Sequence, residues 1–191
     1  MNIFALDTSP KTAAMYHNNA HNIKMILEHV QLLCTAHRIL DGVEVQGKSK
    51  TGRKKKQWIL SDSSKNDLMY SATHVNHPSA IWCRTTDENY KWLHELTIEL
   101  CREYEYRYGK IHKCERIGLI DMLRTPPNNI PRGTFTPVTP AMPKEYIIEN
   151  DFVASYRNYY NNGKQHLAIW SGKINGRSVP HWYTGKLAEE M

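Results

Sequence analysis

The sequence predicts a mainly α fold: a compact helical domain with a small β-hairpin or basic loop and a Pro-rich crossing. Three observations predict it. Segments at 20–40, 85–108 and 144–161 repeat apolar residues at helical spacing. Residues 43–66 have β-friendly ends around a Gly- and Lys-rich centre. The stretch 125–143 carries prolines at 126, 127, 131, 137, 140 and 143, which bars a regular helix there. A chain of 191 residues suits a single domain over 1–191 and is long enough to bury a core.

Each element has its own signal. Residues 2–7 form a short apolar opening, expected to be extended. Ser9 followed by Pro10 is a helix start, with Ser9 at the N-cap and Pro10 at N1, and that helix should run to about Tyr16. Asn18 or Asn19 caps a second helix, which Asp41-Gly42 ends. The segment VEVQGKSKTGRKKKQWIL then turns basic, with Lys48, Lys50, Arg53, Lys54, Lys55 and Lys56. It reads as a hairpin or a mobile loop, either a solvated tip or a phosphate contact. Residues 74–84 read as a connection containing His74 and His77. Thr85-x-x-Glu88 reads as a capping box that opens a long helix to Tyr108, closed by Gly109. Leu93, Leu96, Leu100, Tyr104 and Tyr108 mark its buried side, with Glu95, Glu99, Arg102 and Glu103 outside. The Pro-rich stretch is expected to be an ordered surface crossing. Lys144–Asn161 reads as one further helix, ended near Gly163.

Composition narrows the setting. No apolar run reaches the roughly eighteen residues of a membrane span, so no membrane partner is expected. The opening MNIFALDTSPK lacks a basic start and a long apolar stretch, unlike a secretory signal. Cys34, Cys83, Cys101 and Cys114 form no CxxC pair, which points to reduced thiols and a cytoplasmic setting without a structural metal. The formal net charge of +6 favours a polyanionic partner. No cofactor motif is present; in particular there is no Gly-rich phosphate loop.

The second helix carries the sharpest functional signal. Stepped at about 100° per residue, His21, Lys24, Glu28, Gln31, Thr35 and Arg38 align in one narrow polar stripe. Met25, Ile26, Leu27, Val30, Leu32, Leu33, Cys34, Ala36 and Ile39 cover most of the remaining surface. The stripe faces either solvent or a cleft. A solvated Lys24–Glu28 pair is worth only about 0.3–0.5 kcal/mol, so stability gives little reason for this line of groups. As a site wall, Glu28 can stabilise a developing sugar cation, Lys24 can act as an electrophile or an imine-forming amine, and His21 can donate to a phosphate or leaving group. Two weaker sets are His74 and His77 with His21 as metal ligands, and Cys34 with His37 as a nucleophile pair; the apolar surroundings of the thiol argue against the second. Trp182 and Tyr183, beside Pro180 and Lys186, either staple the tail to the core or stack on an exposed base.

The order of these features resembles the pyrimidine-dimer DNA glycosylase family, small helical phage enzymes with glycosylase and abasic-lyase activity. His21 precedes Glu28 by seven residues on an early helix, the separation of that family's histidine and catalytic glutamate. IWCRTTDENYKWLHELTIELCREYEYRYGK resembles its long central helix. PKEYIIENDFVASYRNYY resembles its late helix, and VPHWYTGKL its closing Pro-x-Trp-Tyr stretch with Gly-Lys. The chain is also similar to uncharacterised phage proteins with a KMILExxQLLCTAHR-like helix. The resemblance implies a double-stranded DNA partner with a damaged or modified base. It implies Glu28, His21, Lys24 and the Met1 amine as catalytic groups. Gln31, Asn2, Trp182 and Tyr183 would contact substrate, and Arg53, Lys54, Lys55 and Lys56 would hold the backbone. Three departures stand out. Asn2 replaces the family's threonine and its bulk should keep Met1 in place, Leu27 and Gln31 replace the arginines that flank the glutamate, and the basic segment 43–66 is extra. Two other readings remain open: an enzyme that modifies a phage base or nucleotide without strand cleavage, and a non-catalytic phage interaction protein.

Overall fold

A computed structural model describes residues 1–48 and 51–189. The fold is mainly α-helical. Its helices are α1 (Pro10–Tyr16), α2 (Asn19–Asp41), α3 (Ser63–Leu68), α4 (Pro78–Cys83), α5 (Asp87–Tyr108), α6 (Lys113–Arg116), α7 (Leu119–Met122) and α8 (Phe152–Gly163). The sheet found among the described residues is an antiparallel hairpin of β1 (Val43–Lys48) and β2 (Lys54–Ile59), in register from Val43 opposite Ile59 to Lys48 opposite Lys54. Lys50, named among the basic residues of this segment, lies outside the described residues.

The two long helices α2 and α5 pack on each other, and α1 packs across α5. Between them lies one contiguous apolar cluster that includes Met25, Ile26, Leu32, Leu33, Leu93, Leu96 and Leu100. The opening segment runs through this cluster, with Ile3, Phe4, Ala5 and Leu6 all buried. Ser9 caps α1 through the Thr12 amide, with Pro10 at its first position. Asn18 caps α2 by accepting from the His21 amide. Gly109, in the left-handed region at φ 62°, closes α5.

Several expectations need correction. The α5 cap is Thr86, whose hydroxyl accepts from the Asn89 amide; Thr85 instead donates its hydroxyl to the Ile81 carbonyl, so the capping box is one residue out of step. Residues 78–83 of the expected connection form α4, because Pro78 follows a capping His77. The helix expected over 144–161 is one turn of 3₁₀ at Lys144–Tyr146, and then α8 begins at Phe152 behind its Asp151 cap. The break falls at Asn150, whose φ of 60° no helix accommodates.

Glu103 is another. Expected on the outside of α5, it is buried because two arginines enclose it. Arg107 Nε lies 3.0 Å from Glu103 Oε2, and Arg177 of the tail binds the same carboxylate at 2.6 Å and 3.1 Å. Arg107 also donates to the carbonyls of His17 and Met15, so one buried cation ties α5 to the α1–α2 turn. Losing one partner of such a buried pair costs about 3–5 kcal/mol.

The Pro-rich stretch is an ordered crossing. Asp87 accepts from the Gly133 amide and pairs with Arg132, Asn89 bonds the Thr136 amide and hydroxyl, and Asp41 accepts from the Asn128 and Asn129 amides. A segment without a ladder of its own has its backbone satisfied by side chains of the long helices.

Candidate active site

The polar stripe of α2 divides into two halves. In its C-terminal half Thr35 exchanges hydrogen bonds with the backbone of Thr73. Arg38 is buried and donates to the carbonyls of Trp58, Asn66, Met69 and Tyr70 and to the Asn66 side chain. These two residues are structural: Arg38 latches the root of the hairpin and α3 onto α2. Gln31 is half-buried between the halves and does not line the recess described next.

The N-terminal half faces a concavity of about 170 Å³, lined by Met1, Asn2, Phe4, His21, Lys24, Met25, Glu28, Tyr159 and Lys164. The buried opening segment places this site. Phe4, held at φ 53°, stacks on the His21 ring with centroids 4.1 Å apart. That fold brings the chain start onto Glu28. The Asn2 amide donates to Glu28 Oε2 at 2.9 Å, the Met1 nitrogen lies 3.7 Å from the same oxygen, and Lys24 Nζ lies 3.4 Å from Oε1. The Asn2 side chain donates to the Ala141 carbonyl and accepts from the Ile3 amide. Asn2 is therefore a clamp that fixes the Met1 nitrogen beside the carboxylate.

The His21 imidazole is a neutral group in this structure. Burial, reinforced by the nearby Lys164 and Lys24 charges, pushes it down to about 2. Its Nδ1 lies 2.6 Å from the Tyr160 hydroxyl. With the phenol O–H donating to Nδ1, Nε2 carries the ring proton. Such a ring can donate a hydrogen bond into the recess but cannot supply a proton at neutral pH. The expected role of His21 as donor narrows accordingly.

Lys164, which sequence reasoning missed, follows α8 with its ammonium 4.9 Å from the Tyr159 ring centroid. No periodicity relates residue 164 to residue 24; only the packing of α8 against the opening segment brings them together. Lys24 and Lys164 thus place two cations on a recess whose anion is Glu28.

Other candidates fall elsewhere. Trp182 packs edge-on against Tyr16 and under the Arg157 guanidinium, and Tyr183 packs against Trp170; neither lines the recess. Arg53 and Lys54–Lys56 lie at the hairpin, with Lys56 paired to Glu44 at 2.9 Å. The hairpin root at Gly42 is fourteen residues beyond Glu28, about 21 Å along α2. Burial pushes the Cys34 thiol up to about 12, and His37 bonds the Tyr90 hydroxyl, so those two form no nucleophile pair. His77 caps α4 and His74 bonds Thr73. Among the described residues no three His, Cys, Asp or Glu side chains are grouped to hold a metal ion, and no helix is long and apolar enough to cross a membrane. Comparison with family models, curated proteins and solved structures finds no match to this chain.

Proposed function

We propose that the chain acts on DNA at the N-glycosidic bond of a damaged or modified base, with Glu28 as the key carboxylate. The observation that carries this reading is a shielded carboxylate flanked by two nitrogens, Met1 N at 3.7 Å and Lys24 Nζ at 3.4 Å, inside a concavity. Breaking a glycosidic bond develops positive charge on the sugar. A fixed carboxylate there stabilises that charge in a partly desolvated setting. The base leaves with the bonding pair and takes up a proton from water. The sugar carbon is captured by water or by an amine, and Glu28 accepts the proton that the attacking group loses.

The recess is small, so the nucleotide must be extruded from the duplex to reach Glu28. Lys24 and Lys164 would hold its phosphate, and the neutral His21 would donate from Nε2. Arg53 and Lys54–Lys56 would hold backbone phosphates farther along the duplex.

The test is base release from duplex DNA carrying damaged or modified bases. Glu28→Gln should lower release by about 10²-fold or more; undiminished release refutes the role of Glu28. Borohydride, which reduces an imine to a stable amine, should cross-link protein to DNA if an amine attacks. Peptide mapping of the cross-link then assigns it to Met1 or Lys24. Release without a cross-link assigns the attack to water, and nucleosides altered in mass without base release indicate base modification instead.

A further inference from the structure

Beside Ile23 of α2, Tyr104 of α5, the turn after it and α6 line an open groove of about 580 Å³. Its lining is aliphatic and aromatic at Ile23, Ile111, Tyr104 and His112, here called the floor, and cationic at Lys110, Lys113 and Arg116, here called the rim. Ile23 is 43% and Ile111 53% exposed, and Leu27, one turn further along α2, is 39% exposed. The even apolar pattern of α2 predicts Leu27 in the core, so this outward ridge is a correction and an anomaly to explain. The Tyr104 and His112 rings meet edge-to-face at 5.6 Å. His112 accepts the Cys114 amide on Nδ1 as the cap of α6, so its Nε2 carries the proton in the neutral ring that burial favours. Among the described residues none of the three rim cations is in an ion pair. Three exposed cations without an ion-pair partner, beside an aromatic and aliphatic floor, are complementary to a chain of phosphates bearing planar, apolar faces.

We infer that the groove formed by Ile23, Tyr104, Ile111 and His112, rimmed by Lys110, Lys113 and Arg116, binds an unpaired stretch of nucleic-acid strand. The rim cations hold phosphates and the floor takes an unstacked base. The inference rests on the reading that the substrate is DNA. It supplies a strand site one residue along α2 from the recess, since Ile23 lines the groove and Lys24 the recess.

Binding is measured on intact, unmodified DNA so that catalysis plays no part. The probes are a fluorescent oligothymidylate, the same length of abasic phosphodiester, and a fully paired duplex, each titrated over a range of salt. The double substitution Lys113→Gln, Arg116→Gln removes exposed charges only, and its melting temperature should match that of the unsubstituted protein. It should weaken oligothymidylate binding about tenfold and lower the salt slope by about 1.4, because two fewer single-strand phosphates are neutralised. The abasic oligomer should bind the unsubstituted protein more weakly than oligothymidylate. Unchanged affinity and slope in the double variant overturn the site, and equal affinity for the abasic oligomer overturns the base-holding floor. A double variant that loses affinity for the paired duplex as strongly as for the single strand overturns the preference for unpaired nucleotides. If the protein releases no base from any substrate yet shows the expected binding differences, the proposed reaction fails and the groove stands.

Discussion

The Asn2 amide donates to Glu28 at 2.9 Å, while the Asn2 side chain is held by Ala141 and Ile3. One residue of the opening segment thus orients the carboxylate of α2 and ties it to the Pro-rich crossing. This relationship separates the structural from the chemical work of Glu28. Glu28→Gln keeps an acceptor for the Asn2 amide and should retain a near-normal melting temperature while losing base release. Glu28→Leu strands that amide and should cost about 1–3 kcal/mol in urea unfolding. Equal destabilisation by both substitutions would contradict the geometry.

Acid should unfold this protein early. Burial lowers His17 and His37 to about 4 and His29 to about 3. His29 spends Nε2 on the Ile3 carbonyl and has no partner for Nδ1, so a second ring proton would be buried without an acceptor. The unfolded chain takes up these protons below about 6.5 and the folded chain does not. Stability is therefore complete above pH 6.5 and falls with the pH below it, by up to about 1.4 kcal/mol per pH unit for each such histidine, until the folded-state values are reached. Urea denaturation at pH 7.5, 6.0 and 5.0 should give a steeply falling series. Equal stability at all three would show that these rings are not held neutral.

His21 should remain uncharged throughout that range. Nitrogen-detected NMR should place its proton on Nε2 at pH 7 and find no titration down to pH 5. Tyr160→Phe removes the donor to Nδ1 and should free the ring to exchange tautomers. A His21 that titrates near 6.5 in the unsubstituted protein would exclude the neutral-donor role.

Arg38→Met should unlatch the hairpin. Five hydrogen bonds hold the hairpin root, α3 and the chain after it through this one guanidinium. Leaving those carbonyls buried and unpaired costs about 3–5 kcal/mol. Amide exchange in β1, β2 and α3 should rise more than exchange in α5; a uniform rise would mean that Arg38 supports the core at large.

The hairpin lysines should act through salt. Lys48 stands directly opposite Lys54 in the register, a like-charge pair that destabilises an isolated ribbon. Replacing Lys54, Lys55 and Lys56 by Gln should lower the salt slope for duplex binding by about 0.9 for each phosphate that the hairpin no longer neutralises. An unchanged slope would remove the hairpin from the DNA interface.

Local signals were legible wherever one residue type has one local job. Ser9-Pro10, Asn18 and Gly109 set helix ends through hydrogen bonds and φ values that involve only neighbours in the chain. Thr85 and Thr86 are alike in that respect, and the choice between them depends on Thr86 donating to the Thr134 carbonyl across the crossing. Glu103 looked like a surface charge because its two arginine partners lie four and seventy-four residues away.

The sequence by itself determined the helical class, the irregular crossing and a helix bearing His21, Lys24 and Glu28 on one line, because capping and periodicity are short-range, and it left residues 43–66 open between a hairpin and a loop. Only the tertiary structure decided what that line faces. Burying Phe4 against His21 swings the chain start onto Glu28, and the packing of α8 brings in Lys164. The same packing turns Thr35 and Arg38 inward and Ile23 and Leu27 outward. Such choices depend on the side chains that occupy each face from distant parts of the chain, which no local pattern encodes.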